Sequence, residues 1–217
     1  MQARYVYTLA MKVLLIMFAH YKLGFFLTLC ISLMLGCSSE SQKIQLTQDS
    51  VILAFGDSLT KGTGARIEES YPSNLQEILG LTVVNKGIPG ETSEKGLKRL
   101  APLLAENSPD LVILCHGGND ILKGLSTDKL ENNLAQMIEL IKSQGAEVIL
   151  VGVPKPSIIL SALPLYEKLA TEYLLVSDLK SLSNLLKQPH MKSDRVHLNG
   201  NGYRELAINI ASKIEVI

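Results

Sequence analysis

The sequence predicts an α/β domain, three-layer α/β/α, built on a flavodoxin-like open parallel sheet of about five strands. Three observations carry that expectation. Short unbroken apolar runs recur along the chain, and segments with helical spacing lie between them. Strands buried on both faces read as continuous apolar runs. Strands that alternate with helices build βαβ units, with helices on both sides of a parallel sheet. Polar, Gly-rich clusters directly follow the runs, and ligands of open α/β sheets bind at the carboxyl ends of the strands.

The elements follow in order. Val51–Phe55, closed by Gly56, is the first strand, and Leu81–Val84 the second. Leu97, Leu100 and Leu104 share one helical face before the third strand, Leu111–Cys115. Ser126, Thr127 and Asp128 offer caps for a helix whose apolar side carries Leu130, Leu134, Met137, Ile138 and Ile141. Val148–Val153 is the fourth strand and Leu174–Val176 a shorter fifth. Tyr203, Leu206, Ala207, Ile210, Ala211 and Ile214 form the stripe of a last helix. The pattern shows no internal repeat and no second domain.

Composition narrows the function. The chain has 217 residues, 47% apolar and 19% charged, which excludes a disordered chain. Basic and acidic residues are equal at 21 each, without the basic excess of a nucleic-acid binder. Three cysteines cannot build a disulfide framework. The average hides an asymmetric start. Residues 1–36 contain Arg4, Lys12 and Lys22 and no acidic residue, with apolar stretches at Val13–Ala19 and Leu23–Gly36. A cationic start followed by an apolar stretch describes an export signal. Leu33-Met34-Leu35-Gly36-Cys37 resembles a bacterial lipobox, with Met34 where Leu is usual. In such signals the peptide is cut before the cysteine, whose sulfur carries diacylglycerol. The expected organisation is a lipoprotein-type signal peptide over 1–36, a lipidated Cys37 with its tether over 37–48, and a folded domain over 49–217. Acyl chains at Cys37 would anchor the domain to a membrane, in a bacterial cell envelope and outside the cytoplasm. The alternative is an uncleaved helix over Leu9–Leu35, against which the polar His20-Tyr21-Lys22 argue.

Four clusters stand at positions predicted to share one rim: Gly56-Asp57-Ser58-Leu59-Thr60, Asn85-Lys86-Gly87-Ile88-Pro89-Gly90-Glu91-Thr92, His116-Gly117-Gly118-Asn119-Asp120 and Asp194-Arg195-Val196-His197. In type and order they resemble the four signature blocks of the GDSL/SGNH hydrolases. The nearest subgroup is the bacterial thioesterase I/lysophospholipase/arylesterase-like enzymes. The resemblance runs from about Val51 to the end and implies the SGNH hydrolase fold. It implies Ser58 as nucleophile, Asp194 and His197 as its triad partners, and an oxyanion hole from the Ser58 and Gly90 N–H groups and the Asn119 amide. Leu198 departs from the pattern, standing where many relatives carry Pro.

The chemistry is coherent without the name. Ester hydrolysis needs a nucleophile, a base and an orienting carboxylate. Ser58 follows a buried strand, and His197 is the only histidine preceded at three residues by an acid in a predicted loop. Glycine at position 90 lets the main chain approach a substrate closely. Asp57 and Asp120 read as structural hydrogen-bonders, His116 as a structural histidine, His190 as a loop residue and Cys115 as a core thiol. Lys61-Gly62-Thr63-Gly64 lacks the preceding residues of a phosphate loop. Gly-x-Gly-x-x-Gly, His-Glu-x-x-His and Gly-x-Ser-x-Gly patterns are absent. Neither a cofactor nor a metal is expected.

The apolar loop Pro154–Pro164, with Ile158, Ile159 and Leu160, is a candidate acyl pocket, the alternative being that it packs into the core. The expected substrates are small-molecule esters or lipids: aryl esters, lysophospholipids or acyl thioesters. Two other readings stand beside this one, an O-acetylesterase of envelope carbohydrate and a non-catalytic binding lipoprotein on the same fold.

Overall fold

Each of the five apolar runs contributes a strand to one parallel sheet, in a computed structural model that describes residues 43–155 and 160–217. The strands are β2 (Val51–Gly56), β3 (Thr82–Gly87), β4 (Leu111–Cys115), β5 (Glu147–Val151) and β6 (Val176–Asp178). Their order across the sheet is β3-β2-β4-β5-β6, all neighbours parallel. Counted from the first strand of this sheet, that is the flavodoxin-like order 2-1-3-4-5. Leu53 pairs with Val112, and Ile113 with Ile149. The central strands have no exposed face: Ile52–Phe55, Leu111–Cys115 and Val148–Val151 are buried throughout. This is why they read as unbroken apolar runs.

Eight helices flank the sheet among the described residues: α1 (Ser58–Lys61), α2 (Tyr71–Leu79), α3 (Ser93–Asn107), α4 (Gly118–Leu122), α5 (Thr127–Ser143), α6 (Pro164–Glu172), α7 (Ser181–Leu186) and α8 (Gly200–Ala211). Right-handed crossovers put α2 on one face, where it packs on α8, and put α3, α5 and α6 on the other, where α5 packs on both its neighbours. The stripes do what their spacing predicts. Leu130, Leu134, Met137, Ile138 and Ile141 are all buried, as are Leu100 and Leu104, while Leu97 is half-buried. Ser126 caps α5 by accepting from the Lys129 N–H at 3.3 Å. None of these helices is long and apolar enough to cross a membrane.

The sheet edges depart from expectation. β3 runs past its apolar run through Asn85, Lys86 and Gly87, because an edge strand keeps one side open to polar groups. β5 ends at Val151 rather than Val153. The fifth strand begins at Val176, not Leu174. Leu174 takes a left-handed φ of 53° and lies exposed after α6, so it belongs to the turn. The last helix ends at Ala211, and Ile214 belongs instead to a strand, β7 (Ile214–Val216). β7 pairs in parallel with β1 (Ile44–Leu46), Ile44 opposite Ile214. β1 lies inside the stretch read as tether, so the fold begins before residue 49. Ile44 and Leu46 point inward and are buried, with Gln45 exposed between them. The proposed signal, Cys37, Ile158 and Ile159 lie outside the described residues.

Candidate active site

Ser58 owes its place to the crowding where β2 meets β4. Gly56 ends β2 so close to β4 that a Cβ there would stand 2.0 Å from the Cys115 carbonyl oxygen. Asp57 then caps α1, its Oδ1 accepting from the Leu59 N–H at 3.1 Å and its carbonyl from the Lys61 N–H at 3.0 Å. Burial pushes the Asp57 carboxyl above its ordinary value, against the opposing pull of His116 and of the Leu59 and Gly118 N–H groups. Ser58 is the first residue of α1. The N–H at that position has no partner within the helix, and the side chain opens to the rim.

The loop before α8 brings Asp194 and His197 to the same rim. Asp194 folds this loop on itself: its Oδ1 accepts from the backbone N–H groups of Val196 and His197, each at 2.8 Å. Its Oδ2 stands 2.7 Å from His197 Nδ1. Partial burial raises the Asp194 pKa, but the Val196 N–H and the His197 ring and N–H more than offset it, so the carboxyl sits below its ordinary value. The carboxylate therefore accepts from Nδ1–H and leaves Nε2 as the acceptor. Ser58 Oγ lies 3.0 Å from that Nε2 and donates to it. Three residues, two of them 139 positions distant from one another in the chain, form one hydrogen-bonded line.

Asn119, at the start of α4, faces this line. Its Nδ2 donates to the Glu91 carbonyl at 3.0 Å and more distantly to Asp57 Oδ2 at 3.3 Å. Gly90 stands on the neighbouring turn with φ of 77°. Its carbonyl accepts from Lys123 Nζ at 3.1 Å. Pro89 followed by a left-handed glycine suits a type II turn, which the Glu91 N–H closes onto the Ile88 carbonyl at 3.2 Å. Asp120 has the structural role expected of it: its carboxylate accepts from Ser93 N at 2.8 Å and Ser93 Oγ at 2.7 Å, tying α3 to α4. His116 is fully buried against Glu91. Cys115 is buried too, and burial pushes its thiol well above the ordinary value. His190 lies in a single 3-10 turn.

A cleft opens over Ser58, His197 and Asn119. Gly90 is not among its lining residues. Its walls are mostly apolar: Leu122, Val153, Pro154, Leu160, Leu186 and Val196. The apolar loop thus reaches the site through Leu160. Leu186 and Arg195 also line it and were not legible as site residues. Leu186 sits on the short helix α7, whose six residues give too little periodicity to read. Arg195 stood in view within the fourth cluster, but nothing in a sequence says which way a loop side chain turns. Among the described residues no group of three or more His, Cys, Asp or Glu side chains is arranged to hold a metal.

Over 110 residues the chain is 41% identical to an arylesterase of Vibrio mimicus, 48% of this chain and 55% of that one, so it spans little more than half of that relative's length. It is 31% identical over 176 residues to the thioesterase 1/protease 1/lysophospholipase L1 of Escherichia coli K12, 76% of this chain and 83% of the relative. A crystal structure of TesA superposes with a TM-score of 0.68 at 29% identity, covering 76% of this chain and 97% of that one. Residues 54–205, which hold the strand-end clusters from Ser58 to His197, match the GDSL-like lipase/acylhydrolase family, and the chain belongs to that family.

Proposed function

We propose that the protein is a serine esterase that hydrolyses carboxylic esters through an acyl-serine intermediate. The observation that carries this reading is the continuous line Asp194–His197–Ser58, with links of 2.7 and 3.0 Å, at the floor of an apolar cleft. Ser58 Oγ attacks the ester carbonyl while His197 Nε2 takes its proton, and Asp194 stabilises the imidazolium that forms. The carbonyl oxygen becomes an oxyanion facing the Ser58 N–H, the Gly90 N–H and the Asn119 amide. Asn119 meets it by giving up its longer bond, that to Asp57. Collapse breaks the ester bond, and His197 returns the proton to the departing alcohol or thiol. A water, deprotonated by the same imidazole, then attacks the acyl-serine and restores the free enzyme.

The apolar walls at Leu122, Leu160 and Leu186 fit the acyl chain of the ester. The relatives' names point to aryl esters, lysophospholipids and acyl thioesters as the substrate classes to try. We also propose that Cys37 carries a lipid that tethers the domain to a membrane of a bacterial envelope. The support is the lipobox-like Leu33–Cys37 and the polar Ser38–Gln42 after it.

The test is hydrolysis of p-nitrophenyl esters from acetyl to palmitoyl, with Ser58→Ala alongside. Wild-type turnover is expected to fall at least about a thousandfold in the variant, and the chain-length optimum reports the depth of the apolar wall. Turnover that survives in Ser58→Ala, or a folded wild type that neither turns over nor reacts with a fluorophosphonate, overturns the reading.

A further inference from the structure

We infer that Glu91 is a positioning residue which, clamped by Arg99 and His116, locks the Gly90 turn and the Asn119 amide into one rigid oxyanion-binding unit. The inference rests on the esterase reading above. Ile88, Pro89 and Gly90 are exposed, so packing does not hold the turn in place. Glu91, the next residue, is buried, and it anchors the turn in both directions. Its backbone carbonyl accepts from Asn119 Nδ2 at 3.0 Å. Its carboxylate accepts from Arg99 Nε at 2.8 and 2.9 Å, from Arg99 Nη2 at 2.6 Å and from His116 Nε2 at 3.2 Å.

The two clamps are themselves fixed. Arg99 Nη2 also donates to the carbonyls of Gly56, at 3.2 Å, and Lys86, at 2.9 Å, near the ends of β2 and β3. The guanidinium lies 4.2 Å from the centre of the Phe55 ring. His116 Nδ1 accepts from the Gly117 N–H at 2.9 Å, so its proton is on Nε2 and points at Glu91. The His116 carbonyl accepts from the Tyr166 hydroxyl at 2.8 Å. Gly96 makes room for the ring, since a Cβ there would lie 2.4 Å from Nε2. The ends of β2 and β3, helix α3 and the loop after β4 therefore converge on one carboxylate. A buried ion pair is weak evidence for stability, and what this one does is hold the two loops in one geometry. Glu91, Arg99 and His116 do not line the cleft, so they act through the donors and not on the substrate.

The test uses the purified protein with Glu91→Gln, Asn119→Ala and the double variant. Glu91→Gln is expected to lower kcat/KM for p-nitrophenyl butyrate about 10- to 100-fold, less than or comparable to losing a donor outright. The loss is expected in kcat, with KM within about twofold. Phosphonylation of Ser58 by a fluorophosphonate should slow by a similar factor, because the phosphonyl oxygen uses the same donors. In the Asn119→Ala background the same substitution should cost less, because the share of its effect that runs through the Asn119 amide is already lost and only the share through the Gly90 turn remains. A folded Glu91→Gln with kcat/KM within twofold of wild type overturns the inference, and so do effects that multiply in the double variant. Should Glu91→Gln not fold, Arg99→Lys, which keeps the charge and loses the forked contact, carries the same comparison. Ser58-dependent turnover that is indifferent to Glu91 rejects this inference alone. Absence of any Ser58-dependent turnover rejects the esterase reading and this inference with it.

Discussion

Asp194 does two jobs with two oxygens. One orders its own loop through the Val196 and His197 N–H groups, and the other orients His197. Because those bonds hold its pKa below the ordinary 3.8, the folded state favours the ionised form. The stabilisation that follows is fully present above the unfolded value and is lost as the pH falls through the lower folded one. Asp194→Asn should therefore show its largest deficit in Tm above about pH 4, with the two melting curves converging as the solution is acidified further. At neutral pH the same variant should lose about 10²- to 10⁴-fold in kcat, since an amide can present its N–H to Nδ1 and favour the wrong tautomer. A gap in Tm that is constant from pH 7 to pH 3 would contradict the pKa direction. The candidates Ser58, Asp194 and His197 were readable at this scale, because an acid three residues before a histidine and a Ser after a buried strand are local signals that resemble family blocks. What Glu91 does was not readable, since its partners Arg99 and His116 lie 8 and 25 positions away and meet it only in the folded chain.

Among the elements, the turn between β3 and α3 is the one whose backbone conformation matters most to the site. Gly90 has φ of 77°, and a Cβ placed there meets nothing within 4 Å. Gly90→Ala therefore adds no clash and costs only the backbone strain of a left-handed alanine, about 1–2 kcal/mol. The expectation is a modest drop in Tm with a disproportionate loss of kcat, because the Gly90 N–H shifts as the turn relaxes. Equal losses in stability and turnover, measured by thermal melts and ester assays, would mean that the turn carries no donor. The central strands were legible as unbroken apolar runs, and the long helices α3, α5 and α8 because each exceeds the length at which a helical period can be counted. β1, β6 and β7, with three residues each, and the short helices α1, α4 and α7 fall below it. β3 and β6 are also edge strands, whose composition follows their exposed side as much as their buried one.

At the scale of the molecule, the chain closes on itself: β1 at the start of the compact unit that runs from Gln42 to Ile217 pairs with β7 at its end. Ile44 and Leu46 are buried by that pairing, and burying such a side chain stabilises by about 1.5–3 kcal/mol. A chain that starts at residue 50 should thus lose about 3–6 kcal/mol of unfolding free energy relative to one that starts at 43, read from the urea midpoint. Equal midpoints would show that β1 is dispensable. Read in order, the chain was enough for the class of the sheet and the order of its central elements, and the resemblance of its strand-end clusters to the GDSL/SGNH blocks singled out Ser58, Asn119, Asp194 and His197 as candidates. Hydrophobic periodicity and Gly-rich strand ends are properties of neighbouring residues, and a chain read in order displays them directly. Tertiary structure alone decided that Ser58 and His197 stand 3.0 Å apart, that Leu186 and Arg195 join the cleft, that Glu91 ties two loops together and that Ile44 belongs to the fold. Each of these is a contact between distant segments, fixed by how the helices and strands pack.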